Sequence, residues 1–403
     1  MLAVEEALAR VAAAFAPLPL EWVHLGAAHG RVLAEDLVAS RDQPPLPVSA
    51  MDGYAVRAAD LAGGGAELRL VGQAPAGGRF AGAIGPGETV RIFTGGPLPE
   101  GADAVALQEN ATVAGARVRL SGAVEPGTFV RPAGLDFARG ERALPAGRRL
   151  TARDLGLAAA LNHAWLPVRR QPRVALLATG DELGMSGLAL APTQIVNSNT
   201  IALGAMVAAW GGLASDLGVA RDEPAALAAA AERMAGLDLL VTLGGASVGE
   251  RDLVREVLGA RGLELDFWQI AMRPGKPLLF GALRGVPLLG LPGNPVSAGV
   301  CAVLFVRAAI CVMLGLDPAP PEVPAVLGCA LGSNDRRQEY LRACLRRDQE
   351  GRLVATPAGR QDSSMLAVFA RADCLIRRAP FAPAMAAGTA VAVLPLGPAP
   401  IGI

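Results

Sequence analysis

Leu239-Leu240-Val241-Thr242-Leu243-Gly244-Gly245-Ala246-Ser247-Val248-Gly249 is the stretch on which the fold turns. Its first five residues are nearly all apolar and lack the alternation of a strand with one face in water. Such a run suits a strand covered on both faces, as in a parallel sheet sandwiched between helices. Glycines follow at once. Working outward, Val174–Ala178 and Val286–Leu291 have the same texture, and each also leads into a turn-forming loop. Between the first two runs, Thr200–Trp210 reads as a helix closed by Gly211 and Gly212, and Pro224–Met234 as a helix opened by Pro224. This rhythm predicts an open α/β domain with a mainly parallel sheet. Ligands of such sheets bind in the crevice beyond the carboxyl ends of the strands.

Four loops are expected to gather there: Thr179–Glu182, Gly244–Asp252, Met272–Pro277 and Gly290–Ser297. Their glycines let backbone N–H groups approach a phosphate with no Cβ in the way. A helix beginning near Asn294 adds the positive end of its dipole. Arg273 and Lys276 bring full positive charge, and Glu182, Asp222 and Asp252 are hard oxygen ligands for a divalent cation. Each piece alone has an ordinary structural reading: a tight turn, a helix cap, a solvated carboxylate. Together they suggest chemistry on a phosphate or an oxyanion.

Other nucleotide and hydrolase motifs fail. No GxGxxG follows a strand, and Lys276 is followed by Pro277 rather than closing a GxxxxGK[ST] loop. Gly245-Ala246-Ser247-Val248-Gly249 matches the nucleophile elbow of α/β-hydrolases, but that chemistry needs a His after the Ser in chain order. His24, His29 and His163 all precede it.

The remaining sequence bounds the architecture. A chain of 403 residues, 52% hydrophobic and 18% charged, has material for several cores. Zero formal net charge argues against wrapping nucleic acid or coating an anionic membrane. Cys301, Cys311, Cys329, Cys344 and Cys374 form no CxxC pair, and no signal-peptide pattern opens the chain, so reduced thiols in a cytoplasm are expected. Ser297–Leu316 is apolar enough for a membrane span, but Arg307 near its middle favours a buried helix. Val4–Phe15 and Thr151–Leu161 read as helices, the second capped by Thr151. Between them, from Ser40 to Asp136, short apolar runs alternate with Gly- and Pro-rich turns, suggesting a β domain inserted into a helical one. Asp317–Pro324, with four prolines, reads as a linker to an all-β C-terminal domain.

Ser49-Ala50-Met51-Asp52-Gly53-Tyr54-Ala55, Thr94-Gly95 with Pro97, Thr179–Leu183, Gly244–Asp252, Pro274–Pro277 and Pro292–Ser297 closely resemble the molybdopterin molybdenumtransferase family, which includes bacterial MoeA and the gephyrin E domain. Order and spacing agree over essentially the whole chain. The resemblance implies a multidomain α/β plus β protein: a discontinuous helical domain (residues 1–40 and 137–168), an inserted β domain (41–136), a three-layer molybdopterin-binding α/β domain (169–317) and a C-terminal β-barrel-like domain (318–403). It implies a cytoplasmic homodimer with a composite active site, other cofactor-pathway proteins being possible partners. It further implies that molybdate is inserted into adenylylated molybdopterin with release of AMP, and that Mg2+ is required. The family's functional positions fall on Asp52, Thr94, Asp136, Glu182, Asp222, Asp252, Lys276, Pro292, Pro295 and Ser297. On this basis Gly244, Gly245, Ser247, Gly249, Pro292, Gly293, Asn294, Pro295 and Ser297 hold the pterin phosphate. Asp222 and Asp252 bind the metal, and Arg273 and Lys276 bind molybdate. Two departures stand out: Arg273 where the family usually has Lys, and Ala367-Val368 where it usually has a Ser pair. Ser363, Arg337 and Arg342 are alternatives for the missing hydroxyl contact. A pterin-binding scaffold of the same fold with weakened turnover is the competing expectation.

Overall fold

Residues 1–221, 236–244 and 259–397 are described by a computed structural model. The chain folds into two compact units, one of Met1–Ala34, Arg149–Ala152 and Leu166–Ile403, the other of Glu35–Arg148 and Arg153–Trp165.

In the first unit the three apolar runs become the strands Arg173–Thr179, Leu239–Leu243 and Val286–Leu291. They lie side by side in a six-stranded sheet ordered Leu213–Ala220, Arg173–Thr179, Leu239–Leu243, Val286–Leu291, Pro277–Leu283, Leu263–Gln269. The first four are parallel, Pro277–Leu283 runs opposite to them, and Leu263–Gln269 pairs antiparallel with Pro277–Leu283 and so runs with the first four. The absence of alternation has the expected cause. Val174, Leu176 and Ala178 enter one apolar cluster, with Leu203 and Val207 of the helix Asn199–Trp210. Ala175, Leu177, Leu240 and Leu288 enter a second cluster on the other face. The first helix, Val4–Ala13, sets Val4, Ala7 and Val11 into the first cluster. The helix expected at Pro224–Met234 lies outside the described residues.

The segment that looked long enough for a membrane is a helix over Pro295–Met313, and 83% of its apolar window is buried within the protein. Its Ala302–Val306 portion is π-helical. Arg307 is accommodated by two carbonyls of the following linker, donating to Pro318 O at 3.0 Å and Ala319 O at 2.6 Å.

Beyond the linker, Val323–Leu327, Gln338–Arg347, Leu353–Pro357, Cys374–Arg378 and Ala390–Pro395 close into a barrel, because Gln338–Arg347 pairs with both Leu353–Pro357 and Cys374–Arg378. Met272–Arg273 adds to the start of Gln338–Arg347 in parallel, so the Arg273–Lys276 loop belongs to the sheet and to the barrel at once. The expected multidomain α/β plus β architecture is present.

The second unit holds a six-stranded sheet ordered Ala104–Leu107, Gly53–Val56, Glu88–Ile92, Gly65–Ala74, Arg117–Ser121, Ala111–Ala114. Gly53 is required there: a β-carbon would stand 2.1 Å from the Ala106 carbonyl oxygen. A helix, Ala152–Ala160, follows Thr151.

Leu289 is fully buried, opposite Val241 on one side and Phe280 on the other. Leu289→Ala is expected to cost about 2–5 kcal/mol, read as a lowered urea midpoint at unchanged slope.

Candidate functional site

Topology brings the predicted loops to one edge. Thr179, Leu243 and Leu291 end parallel neighbours, so the loops after them leave on the same side. Pro277 begins an antiparallel strand and pairs with Gln269 at that same edge, so Lys276 enters there too.

Contact between the loops is tight. Gly244 has φ of +97°, its N–H donates to Leu291 O at 3.1 Å, and a β-carbon on it would stand 2.7 Å from Thr179 O. Gly293 packs on it, its own β-carbon position lying 3.7 Å from the Gly244 Cα. Asn199 Nδ2 donates to Gly293 O at 2.7 Å, tying the helix Asn199–Trp210 to the Pro292–Pro295 turn. At Gly180 (φ +143°) the Glu182 carboxylate fills the space a side chain would take, 2.6 Å from the β-carbon position. The Pro295–Met313 helix begins with Asn294 as N-cap and Pro295 in its first turn. The Asn294 side chain does not cap the helix. It donates to Ser363 Oγ at 3.0 Å, and Val296 N donates to Ser363 O at 3.0 Å. Pro292 and Ser297 are buried, whereas Gly293 and Asn294 are exposed.

Arg273, Pro274, Glu339, Tyr340, Arg342 and Gln361 line a cavity of about 290 Å³ beside the Lys276 loop. Arg273 is committed to carboxylates. It bonds Glu339, lies 3.5 Å from Asp335, and approaches Asn334 at 3.5 Å. Glu339 also faces Arg378 at 3.5 Å. Arg337 is tied to Asp335 at 2.6 Å, and the Asp335 carboxyl is held down to about 2, chiefly by Arg337 and secondarily by Arg273. Arg342 differs from both. It is 1% exposed, and among the described residues its guanidinium reaches only the carbonyls of Tyr340 and Asp362, at 3.5 and 3.3 Å. Its Nε has no partner among the described residues. Burial disfavours its charge, and an anion in the cavity would offset that cost. Lys276 is half-buried and makes no ion pair among the described residues. Ala367 and Val368 lie on the short helix Leu366–Ala370.

In the second unit, Asp52 Oδ1 accepts from Thr94 N at 2.7 Å and from Thr94 Oγ1 at 2.8 Å. These two bonds, with a smaller contribution from the Arg91 charge, lower the Asp52 pKa. Asp136 lines a separate cavity of about 660 Å³ with Arg131 and Pro97.

Gly245, Ser247, Gly249, Asp222 and Asp252 lie outside the described residues. Among those described, no group of three His, Cys, Asp or Glu side chains is placed to hold a metal. Sequence reasoning missed Asn199 and Glu339. The run Asn197-Ser198-Asn199-Thr200 at a helix start was the available signal for the first. For Glu339 there was none, since its role depends on Arg273 from a distant segment.

A glycine-lined sheet edge joined to a barrel, with a β insertion elsewhere in the chain, defines a multidomain α/β plus β class of protein. Residues 175–311 match the family described as "Probable molybdopterin binding domain", residues 2–162 the MoeA N-terminal region (domain I and II), and residues 324–396 the MoeA C-terminal region (domain IV). The molybdopterin molybdenumtransferase of Nostoc sp. is 37% identical over 331 residues, covering 80% of this chain and 76% of that protein. The Haemophilus influenzae molybdopterin molybdenumtransferase is 34% identical over 89% of this chain and 90% of its own length. The solved structure of the molybdopterin biosynthesis moeA protein from Pyrococcus horikosii superposes with a TM-score of 0.87 at 31% identity, covering 98% of this chain and 99% of that one. The chain belongs to the molybdopterin molybdenumtransferase family.

Gly244→Ala is expected to weaken ligand binding at this edge while leaving a folded protein, because the added carbon must push the Thr179 end away from the Gly244 loop. Calorimetric titration beside circular dichroism tests this. Asp335 predicts a pH effect. Its pKa is lowered from 3.8, so its stabilising contribution is present above that value and is lost as pH falls toward about 2. Asp335→Asn should therefore lower stability near neutral pH, and the difference from wild type should vanish near pH of about 2. The effect is small at high salt, because that side chain is 40% exposed.

Proposed function

We propose that this protein completes the molybdenum cofactor, inserting molybdate into adenylylated molybdopterin with release of AMP. The observation that carries this reading is the convergence of Gly244, Gly293, Glu182 and Lys276 at one sheet edge, beside a cavity that holds a buried arginine with an unpartnered nitrogen. Curated relatives at 34–38% identity are named molybdopterin molybdenumtransferase, which supports the metal-transfer part of this reading.

The Gly244 N–H is given to Leu291 and the Val296 N–H to Ser363. The backbone N–H groups of Gly293 and Asn294, together with those of Gly245–Gly249, would hold the pterin phosphate, the Pro295–Met313 helix adding its dipole. Lys276 and Arg342 are the cations best suited to molybdate. Arg273 would join them only by giving up part of its pairing with Glu339. Of the three alternatives for the missing hydroxyl contact, Ser363 is engaged by Asn294 and Arg337 by Asp335, which favours Arg342. Carboxylate oxygens suit Mg2+, and the exposed Glu182 at this edge is a donor of that kind. Asp222 and Asp252 would hold the ion, which when bound supplies charge neutralisation on the phosphoanhydride. Lys276 would stabilise the adenylate as it leaves.

Asp52 and Thr94 would complete the site from the partner of a cytoplasmic homodimer. An exposed apolar set on one segment, Met185, Leu188, Ile195 and Ile201, supports a partner surface. Further contacts with other proteins of the cofactor pathway, and a four-domain division at about residues 41, 137, 169 and 318, belong to the same proposal. The commitment of Arg273 to Glu339 favours one competing reading, a scaffold that binds the pterin without turnover.

Molybdate-dependent AMP release separates the two readings: the scaffold releases none. Asp52→Asn and Lys276→Ala should each remove most of this activity. Coexpression of the two variants should restore part of it, since the mixed dimer keeps one intact site. No recovery would mean that each chain carries its own complete site.

A further inference from the structure

The strand pair that carries Asp52 and Thr94 contains an arginine with no carboxylate partner among the described residues. Asp52 immediately precedes the strand Gly53–Val56, and Thr94 follows the strand Glu88–Ile92 by two residues. The two strands are antiparallel neighbours, with Tyr54 opposite Arg91. The Arg91 guanidinium lies 5.0 Å from the Tyr54 ring centroid and 5.1 Å from that of Phe93. Its Nη1 donates to Gly53 O at 3.2 Å, and its Nη2 donates to Gln108 Oε1. Gln108 N in turn donates to Asp52 O at 3.3 Å. One planar group thus touches both flanks of the Asp52–Thr94 pair: Gly53 beside Asp52, and Phe93 beside Thr94.

We propose that Arg91 is a positioning residue, its guanidinium held between the Tyr54 and Phe93 rings and forked onto Gly53 and Gln108 so that the Asp52 carboxylate and the Thr94 hydroxyl stay in register. The inference rests on the reading that Asp52 and Thr94 serve the reaction. Two properties of the side chain are used separately. Its fork and flat face set geometry, which lysine cannot reproduce. Its charge, uncommitted to any described acid, favours the ionised Asp52, adding to the larger effect of the two Thr94 bonds.

The test uses the full-length protein carrying Arg91→Met or Arg91→Lys, with Asp52→Asn as a control. Carbon-13 NMR titration of Asp52 and AMP release with adenylylated molybdopterin and molybdate are the two measurements. Arg91→Met is expected to raise the Asp52 pKa and to lower kcat by up to about a hundredfold, as for a reacting group displaced by about 1 Å, with KM little changed. Arg91→Lys is expected to keep the native Asp52 titration while kcat remains low. A native titration and native kcat in Arg91→Met would overturn the inference. So would native kcat in Arg91→Lys, and this second variant decides the matter if the first fails to fold. If Asp52→Asn itself turns over normally, the underlying reading has failed, a result distinguishable from an inactive Asp52→Asn beside a fully active Arg91→Met.

Discussion

No side chain fits between the Gly244 backbone and the Thr179 carbonyl, and the site is built around that closeness. Two parallel strands end side by side there, and the loop leaving one must pass directly over the other. Gly244 allows the passage by adopting positive φ. Because it does, Gly293 of the third loop can settle on it, Asn199 can reach Gly293, and Asn294 is left free to bond Ser363 of the C-terminal domain. A single steric condition at a strand end thus runs through three loops to the segment beside the cavity lined by Arg273 and Arg342.

Charge in that cavity is balanced unevenly. Arg273, Arg342 and Arg378 surround one buried carboxylate, Glu339, which pairs with the first and the last. Arg342 is left with carbonyl partners and an idle nitrogen. Charged groups are costly to bury alone, and a cationic excess in a small cavity is relieved by an anion. Arginine at position 273 fits this arrangement because its planar fork meets Glu339 and Asp335 from different nitrogens in one fixed geometry.

Much of the fold was legible in the sequence because its signals are local. Continuous apolar runs gave away the strands covered on both faces, and Val174 and Ala175 entering opposite clusters is the physical meaning of that texture. The buried Pro295–Met313 helix was equally readable, Arg307 deciding against a membrane. What could not be read was the partnership of distant groups. That Arg273 is taken by Glu339, that Ser363 is spent on Asn294, and that Arg342 rather than Arg337 is uncommitted all depend on strand Gln338–Arg347 meeting Met272–Arg273. No residue pattern near position 273 announces that pairing. The Asp52–Thr94 bond stood between these cases: both residues were singled out, but their contact required the register of two strands in the second unit.

The Pro295–Met313 helix has a consequence for how the chain is made. It is covered from both directions of the sequence, by Val4, Ala7 and Val11 near one end and by Phe369 and Leu394 near the other. On a ribosome the helix emerges after its first cover, yet it must wait for some eighty further residues before Phe369 and Leu394 exist. Throughout that interval the nascent chain carries a segment with a mean hydropathy of 2.2 that is covered from one side only, and transiently exposed apolar surface of that kind is prone to aggregate. All six strands of the sheet precede the helix in the chain, so it can settle on them at once, while the face that Phe369 and Leu394 will cover stays open until the barrel is made.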